Sequence, residues 1–120
     1  MNVIEQLALV AAGGFAGAVG RYVTIRLLPN ARPFPIGTFF VNMAGSFMLG
    51  WLTASGSAQS IVYIFFGIGF LGAFTTFSTV MLELLQQIGQ KKYFIFMLYS
   101  TMTYLLGFIF AVCGYILGSE

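Results

Sequence analysis

The chain has 120 residues, of which 59% are hydrophobic and 7% are charged, and its formal net charge is +2. Soluble domains carry about 25% charged residues, so this composition predicts an integral membrane protein. One cysteine, no aspartate and no histidine exclude a disulfide framework, a Cys/His zinc site and a catalytic triad, so we expect no enzyme, and the scattered basic side chains exclude a nucleic-acid surface.

Four long apolar segments follow one another along the chain, and each satisfies the requirement of about 20 residues for a membrane span. We predict helices over about 3–28, 36–54, 59–88 and 91–117 within one membrane domain, residues 1–120. Glu5 stands where a signal peptide would carry Lys or Arg, so we predict that the first segment is a retained helix. The turn signal at Pro29 and Asn30 ends it, and the turn residues 55–57 separate the second helix from the third.

The basic side chains are distributed asymmetrically between the two sides of the predicted bundle. They lie at or near the connections between helices 1 and 2 and between helices 3 and 4: Arg21, Arg26, Arg32, Lys91 and Lys92. With four spans these two connections share one side, and the positive-inside rule places them in the cytoplasm and both termini outside. We therefore predict a multi-pass protein of the cell membrane, embedded in the lipid bilayer with one fixed orientation.

Helix 1 carries a stripe of small residues that ends in a basic side chain. Gly13, Gly17 and Arg21 recur at four-residue spacing and therefore share one helix face. Small residues at this spacing let another backbone approach closely, so we interpret Gly13 and Gly17 as a packing surface. Arg21 either extends its side chain to the cytoplasmic face or lines a wet vestibule.

Polar side chains form two further stripes inside the second and third helices. They recur at the same spacing: Thr38, Asn42 and Ser46 on helix 2, and Thr75, Thr79 and Glu83 on helix 3. A single hydroxyl usually bonds to a carbonyl of its own helix, but the amide of Asn42 has more donors and acceptors than its own helix can satisfy. Glu83 fits an interfacial position as well as an ion path. Together the stripes predict a polar seam that faces protein or water and suits an anion or a polar solute better than a cation.

The third predicted helix also carries phenylalanines and a glycine-rich segment. Four rings run along it: Phe66, Phe70, Phe74 and Phe77. We interpret this row mainly as packing, although a phenyl edge can also approach an anion. Gly67, Gly69 and Gly72, followed by paired threonines, predict a break near the middle of the helix, close to Gly72. Carbonyls freed by such a break can hold a sodium ion.

Three segments of the chain resemble, in order and spacing, the signatures of the Fluc/CrcB fluoride channel family. They are GGFAGAVGRY at 13–22, GTFFVNMAGSF at 37–47 and GFLGAFTTFSTVMLE at 69–83. The resemblance covers nearly the whole chain. It implies an all-α membrane protein with four transmembrane helices that assembles as an antiparallel dimer with two narrow pores at the interface. It also implies a passive channel that exports fluoride and excludes chloride.

The resemblance implies roles for individual residues. Asn42 resembles the pore asparagine of the family, Phe77 the first of its two pore phenylalanines, and Arg21 its vestibule arginine. The implied anion-binding set comprises Asn42, Phe77, Ser78, Thr79, Thr38, Tyr99 and Thr103, with Arg21 and Glu83 at the vestibules. The backbone carbonyls of Gly72 and Thr75 match the positions that hold a structural Na⁺ in the family. No organic cofactor is implied.

Two features of the chain depart from the family pattern. The family motif ends in a second phenylalanine where this chain has Val80, so one aromatic edge of the pore is missing. Members that self-associate in antiparallel fashion carry little charge bias, whereas this chain has five basic side chains on one side and none on the other. Both features favour the hypothesis that the dimer partner is an oppositely inserted homologue, rather than a second copy of the chain.

Two other function classes remain open on the sequence. A small proton-coupled multidrug exporter also has four spans, but it needs a carboxylate deep in helix 1, where this chain has only Glu5 at the extreme end. A noncatalytic assembly subunit would use its glycine stripes only to bind a partner. It predicts that replacing Asn42 or Phe77 changes the stability of the complex but no ion flux.

Overall fold

The computed structural model describes residues 2–28, 34–56 and 60–120, and within them the regular secondary structure is helical. Helix α1 spans Val3–Leu27, α2 spans Ile36–Ser55, α3 spans Tyr63–Leu71 in wide π-helical turns and continues as the α-helical turn Gly72–Phe74, α4 spans Ser78–Gly89, and α5 spans Tyr93–Gly118. Four segments are long and apolar enough to cross a membrane: α1, α2, the α3–α4 pair over Tyr63–Gly89, and α5. The predicted turn at Pro29 and Asn30, the basic residue Arg32 and the turn residue Ser57 lie outside the described residues.

Helices α1 and α3 pack backbone against backbone through glycine. Gly13 and Gly17 are buried, and a Cβ atom at either would fall on a carbonyl oxygen of α3, that of Phe65 or that of Phe70 respectively. From the other helix, Gly69 faces the carbonyl oxygen of Val10. Since residue numbers rise together along this contact, the two helices run in the same direction. The packing interpretation of the small-residue stripe is confirmed.

Helices α2 and α5 form the most extensive helix contact of the described chain and also run in the same direction. Gly50 lies against the carbonyl oxygen of Ala111, and Gly114 lies against that of Phe47. Because glycine has no side chain, the two backbones approach closely without displacing a neighbour. This tight pair forms one wall of the groove that contains the candidate site.

The third span is interrupted between α3 and α4. Thr75 has extended backbone angles, φ −81° and ψ 161°, and α4 begins at Ser78. A break near the middle of the span is therefore confirmed, although it begins at Thr75 rather than at the predicted Gly72. Gly69 serves the close contact with α1 instead. The interruption occurs where side-chain atoms, rather than backbone carbonyls, accept the N–H groups of Thr76 and Thr79.

Two small apolar clusters lie on opposite sides of this break in the chain. They comprise Val41, Leu71 and Phe74 on one side, and Val80, Leu84 and Tyr99 on the other. Phe74 stacks on Phe70 with 5.7 Å between the ring centroids, so packing is confirmed for this part of the phenylalanine row. Many other large apolar side chains are exposed on the outer faces of α1 and α5. Such faces suit contact with lipid or with a partner subunit.

The connection between α4 and α5 is a tight turn that contains both lysines. Lys92 N donates to the carbonyl oxygen of Gln87 at 2.9 Å, and Lys91 N donates to that of Ile88 at 3.0 Å. This pair of bonds is a Schellman motif, in which the residue at the position of Lys91 takes left-handed backbone angles. Lys91 has φ 60°, at a position that glycine usually occupies. The turn therefore holds a non-glycine residue under backbone strain.

Candidate functional site

An open groove of about 400 Å³ lies beside the break in the third span. Its walls come from α2, from the α3–α4 break and from α5, and we call it the break groove. Its polar lining residues are Asn42, Ser46, Thr75, Thr76, Thr103 and Tyr104. Among the described residues, no Lys, Arg, Asp or Glu lines it. The groove is therefore polar but uncharged, and it lies at the middle of a membrane-spanning segment.

Asn42 binds both backbone groups of Thr76. Its Oδ1 accepts a hydrogen bond from Thr76 N at 2.8 Å, and its Nδ2 donates to the Thr76 carbonyl oxygen at 3.0 Å. In a continuous α-helix these two groups would bond along the chain, to Gly72 and to Val80. Backbone groups at membrane depth need partners, because no bulk water is available there. The amide of Asn42 thus replaces two helical hydrogen bonds that the break removes.

Thr76 in turn caps the second half of the span. Its Oγ1 accepts from Thr79 N at 3.2 Å and donates to Thr79 Oγ1 at 3.1 Å. A hydroxyl that accepts from the backbone N–H three residues later is the usual arrangement at a helix N-terminus. Thr76 is absent from the predicted anion-binding set. The signal for it is a threonine placed just before the helical run of α4 and three residues before Thr79.

These interactions leave two carbonyl groups at the end of α3 without helical donors. Thr76 N would donate to the Gly72 carbonyl in a continuous helix but is bound to Asn42, and Thr79 N would donate to the Thr75 carbonyl but is bound to Thr76. Within the described ranges, no other backbone N–H donates to either carbonyl. Gly72 and Thr75 both line the break groove. Carbonyl oxygens of an unwound membrane helix are ligands that Na⁺ accepts, so this pair fits the implied ion.

The lining of the break groove includes an exposed ring and a residue whose buried hydroxyl is unpaired. Phe77 is 67% exposed, whereas Thr103 is 9% exposed and its Oγ1 has no hydrogen-bond partner among the described residues. Val80 is 2% exposed and packs with Leu84 and Tyr99. A hydroxyl hydrogen and the positive edge of a phenyl ring can both contact an anion without a formal charge.

A second polar cluster joins α2, α4 and α5 around one carboxyl group. Thr38 Oγ1 donates to Glu83 Oε2 at 3.0 Å, and Tyr99 Oη donates to Glu83 Oε1 at 2.8 Å. Thr38 and Tyr99 are buried. Both oxygens of Glu83 are thus held by hydroxyls of other helices. The expectation that a lone hydroxyl serves its own helix is wrong for Thr38, while Thr75 meets it, because its Oγ1 donates to the Leu71 carbonyl at 3.0 Å.

The structure separates the predicted site residues into groups. The break groove contains Asn42, Gly72, Thr75, Phe77 and Thr103. The second polar cluster contains Thr38, Glu83 and Tyr99. Thr79 is linked to the groove through Thr76. Ser78 is exposed in the first turn of α4, and Arg21 is half-buried on α1, outside the groove lining. The two groups are linked by α4, which begins at the groove and carries Glu83.

Comparisons with known proteins agree on one family. Residues 8–115 match the family described as "CrcB-like protein, Camphor Resistance (CrcB)". The chain is 44% identical over 118 residues to "Fluoride-specific ion channel FluC 2" of Bacillus thuringiensis subsp. konkukian, covering 97% of this chain and 98% of that protein. It is 46% identical over 110 residues to "Fluoride-specific ion channel FluC 1" of Geobacillus kaustophilus, with 91% and 94% covered. A protein with that same printed name from Methanosarcina barkeri is 42% identical over 93 residues, with 78% and 79% covered.

Proposed function

The chain belongs to the CrcB-like family, and from that premise we propose that it is a subunit of a fluoride-selective channel through which cytoplasmic fluoride leaves the cell passively. Its four apolar spans make it a multi-pass membrane protein. The observation that carries the proposal is the break groove, where neutral hydrogen-bond donors and the exposed ring of Phe77 converge beside a broken membrane helix. The relatives matched over nearly their whole length are named as fluoride-specific ion channels.

Fluoride is small and strongly hydrated, so a narrow path must replace its water with close contacts that are weak enough for release. The groove offers the ring edge of Phe77 and the Nδ2 hydrogen of Asn42 that Thr76 does not use. Thr103 also lines it, and its buried hydroxyl has no other partner among the described residues. Among the described residues, charged side chains are absent from its lining, which favours rapid release of an anion. Chloride is larger, and we propose that the width of the completed pore excludes it.

The remaining predicted residues are assigned to the lining of the anion path and to its two ends. Ser78 and Thr79 extend the polar lining along the first turn of α4. Thr38 and Tyr99 form the cytoplasmic end together with Glu83, whose two oxygens already accept hydrogen bonds and therefore repel a passing anion less than a bare carboxylate would. Arg21 lines the vestibule, where its positive charge attracts anions.

A structural Na⁺ at the break is part of the proposal. The backbone carbonyls of Gly72 and Thr75 would hold it, and their lack of helical donors supports this assignment. When bound, the ion supplies a positive charge that stabilises the two freed carbonyls. No organic cofactor and no catalytic step are proposed.

The break groove is open on one side, which supports a second subunit that covers it. We propose an antiparallel dimer with two interfacial pores, in which the partner covers the groove. Val80 packs in the apolar cluster with Leu84 and Tyr99 and presents no aromatic edge to the groove. Together with the five basic side chains on one side, this feature favours an oppositely inserted homologue over a second copy as the partner.

An assembly subunit that conducts no ion is the second candidate, and Val80 is the observation that favours it. In that case the partner supplies the conducting pore and the glycine contacts of this chain only build the complex. A proton-coupled exporter is opposed by Glu83, because both of its oxygens are engaged by hydroxyls of neighbouring helices. We therefore keep only the channel subunit and the assembly subunit.

Fluoride efflux from liposomes distinguishes these two candidates. The purified chain is reconstituted alone and with a homologous partner, and fluoride efflux is recorded with chloride as the control anion. For a channel subunit we expect fluoride efflux that falls at least tenfold in Phe77→Leu and is retained in Phe15→Leu, a matched control on the outer face of α1. For an assembly subunit, we expect the complex of the chain with its partner to show the same fluoride efflux with either variant as with the wild-type chain.

A further inference from the structure

We propose that Asn42 is a positioning residue: by binding both backbone groups of Thr76, it holds that residue in the orientation in which its hydroxyl caps α4. The inference deepens the proposed function, since it concerns how the groove is built. It depends on neither the identity nor the presence of an ion.

The geometry of the Asn42–Thr76 contact matches that of two paired peptide groups. A side-chain amide carries one acceptor and one donor in a single plane, as a peptide does. The two contacts of 2.8 and 3.0 Å both lie in the range of good hydrogen bonds. Asn42 belongs to α2, 34 residues from Thr76, so the packing of α2 sets the position of the amide independently of the break.

The hydrogen bonds of Asn42 and Thr76 determine which donors reach the carbonyls of Gly72 and Thr75. With Thr76 N held by Asn42, the Gly72 carbonyl has no helical donor, and the orientation of Thr76 lets its hydroxyl take Thr79 N from the Thr75 carbonyl. One asparagine on a neighbouring helix thereby fixes the hydrogen-bond arrangement in which neither carbonyl has a helical donor. The bonds of Glu83 to Thr38 and Tyr99 hold α4 from its other end. We therefore expect the break to stay open when Asn42 is replaced, with the Thr76 N–H left without a partner.

A positioning role differs from an anion-binding role in the atom that matters. An anion can use only the Nδ2 hydrogens of Asn42, whereas the positioning role requires Oδ1 as the acceptor for Thr76 N. Asn42→Leu keeps a branched side chain of similar shape and removes both groups. Asn42→Asp keeps an acceptor for the Thr76 N–H and removes the donor.

The test is amide hydrogen exchange at residue 76 of the purified full chain in fluoride-free buffer. We expect exchange about tenfold faster in Asn42→Leu than in wild type, as the loss of one hydrogen bond implies, and slow exchange in Asn42→Asp. Ser46→Ala, one turn further along the same groove wall, is the control and leaves residue 76 as slow as in wild type. Amides of α1 are unchanged in all variants, which separates a local effect from general loosening of the bundle.

Equal exchange at residue 76 in wild type and Asn42→Leu overturns the proposal, and so does loss of protection in Asn42→Asp. If Asn42→Leu fails to fold, Asn42→Ser replaces it, because its shorter side chain cannot reach both groups of Thr76. Since no fluoride is present, this result is independent of the flux experiment. Absence of fluoride flux in wild type would disprove the channel function without changing what hydrogen exchange reports about Asn42.

Discussion

Tyr99 on α5 donates a hydrogen bond from its hydroxyl to Oε1 of Glu83 on α4, with 2.8 Å between the two oxygens. Tyr99 is 0% exposed, and Thr38 of α2 donates to the other oxygen of the same carboxyl group at 3.0 Å. One carboxyl group thus ties α4 to two other helices. Because α4 does not continue directly from α3, these side-chain bonds keep the second half of the span in place.

Removal of the Tyr99 hydroxyl tests this connection. Tyr99→Phe keeps the buried ring and leaves one oxygen of Glu83 without its donor. A hydrogen bond to a charged group contributes about 1.5–3 kcal/mol, so we expect the free energy of unfolding in detergent to fall by about that amount. Tyr104→Phe, at an exposed position of the same helix, is the control. An equal loss in the two variants would contradict the role assigned to the Tyr99 hydroxyl.

The contact between α1 and α3 predicts opposite effects for two adjacent glycines. A Cβ atom at Gly13 falls on the Phe65 carbonyl oxygen, whereas at Gly14 the nearest atom is the Gly69 carbonyl oxygen at 3.7 Å, an ordinary contact. We expect Gly13→Ala to lower the free energy of unfolding by about 1–3 kcal/mol, because the helices must separate. Gly14→Ala is neutral or gains up to about 1 kcal/mol from helix propensity. Thermal unfolding measures both, and the reverse order would show that α1 packs differently.

The Schellman turn between α4 and α5 predicts a difference between two charge-matched variants. Lys91 has φ 60° and Lys92 has φ −92°, so glycine relieves backbone strain only at the first position. We expect Lys91→Gly to be more stable than Lys92→Gly by about 1 kcal/mol or more, from the cost of left-handed angles in a non-glycine residue. Chemical unfolding of the two variants checks this difference. Equal stabilities would mean that the left-handed turn does not form.

Val80 provides a test of the missing aromatic edge. It lines the break groove but is packed with Leu84 and Tyr99, so a larger side chain there costs about 1–3 kcal/mol unless it turns into the groove. We expect Val80→Phe to increase fluoride efflux from liposomes that contain the chain together with an oppositely inserted homologue, because the ring restores the second edge. Val80→Ile, which adds volume without a ring, controls for size. A folded Val80→Phe variant with lower efflux than wild type would contradict this explanation of Val80.

The parts of the structure that depend on local pattern could be predicted from the sequence. Span lengths follow from apolar runs, and the contact at Gly13 and Gly17 follows from small residues at four-residue spacing. The position of the break could not be predicted in the same way, because the acceptor of the Thr76 N–H is Asn42 on another helix. For the same reason the hydrogen bond from Thr38 to Glu83 on another helix could not be predicted. The anion-binding set, the sodium ion and the dimer stay predictions, since each involves an ion or a second subunit in addition to this chain.

The reversal potential of current across a planar bilayer, with unequal fluoride and equal chloride concentrations on the two sides, tests the central claim most directly. The chain is incorporated alone and together with an oppositely inserted homologue. We expect a current in at least one preparation, with a reversal potential near the equilibrium potential of fluoride. Current absent from both preparations, or a reversal potential set by chloride, would contradict the claim that the chain is a subunit of a fluoride-selective channel.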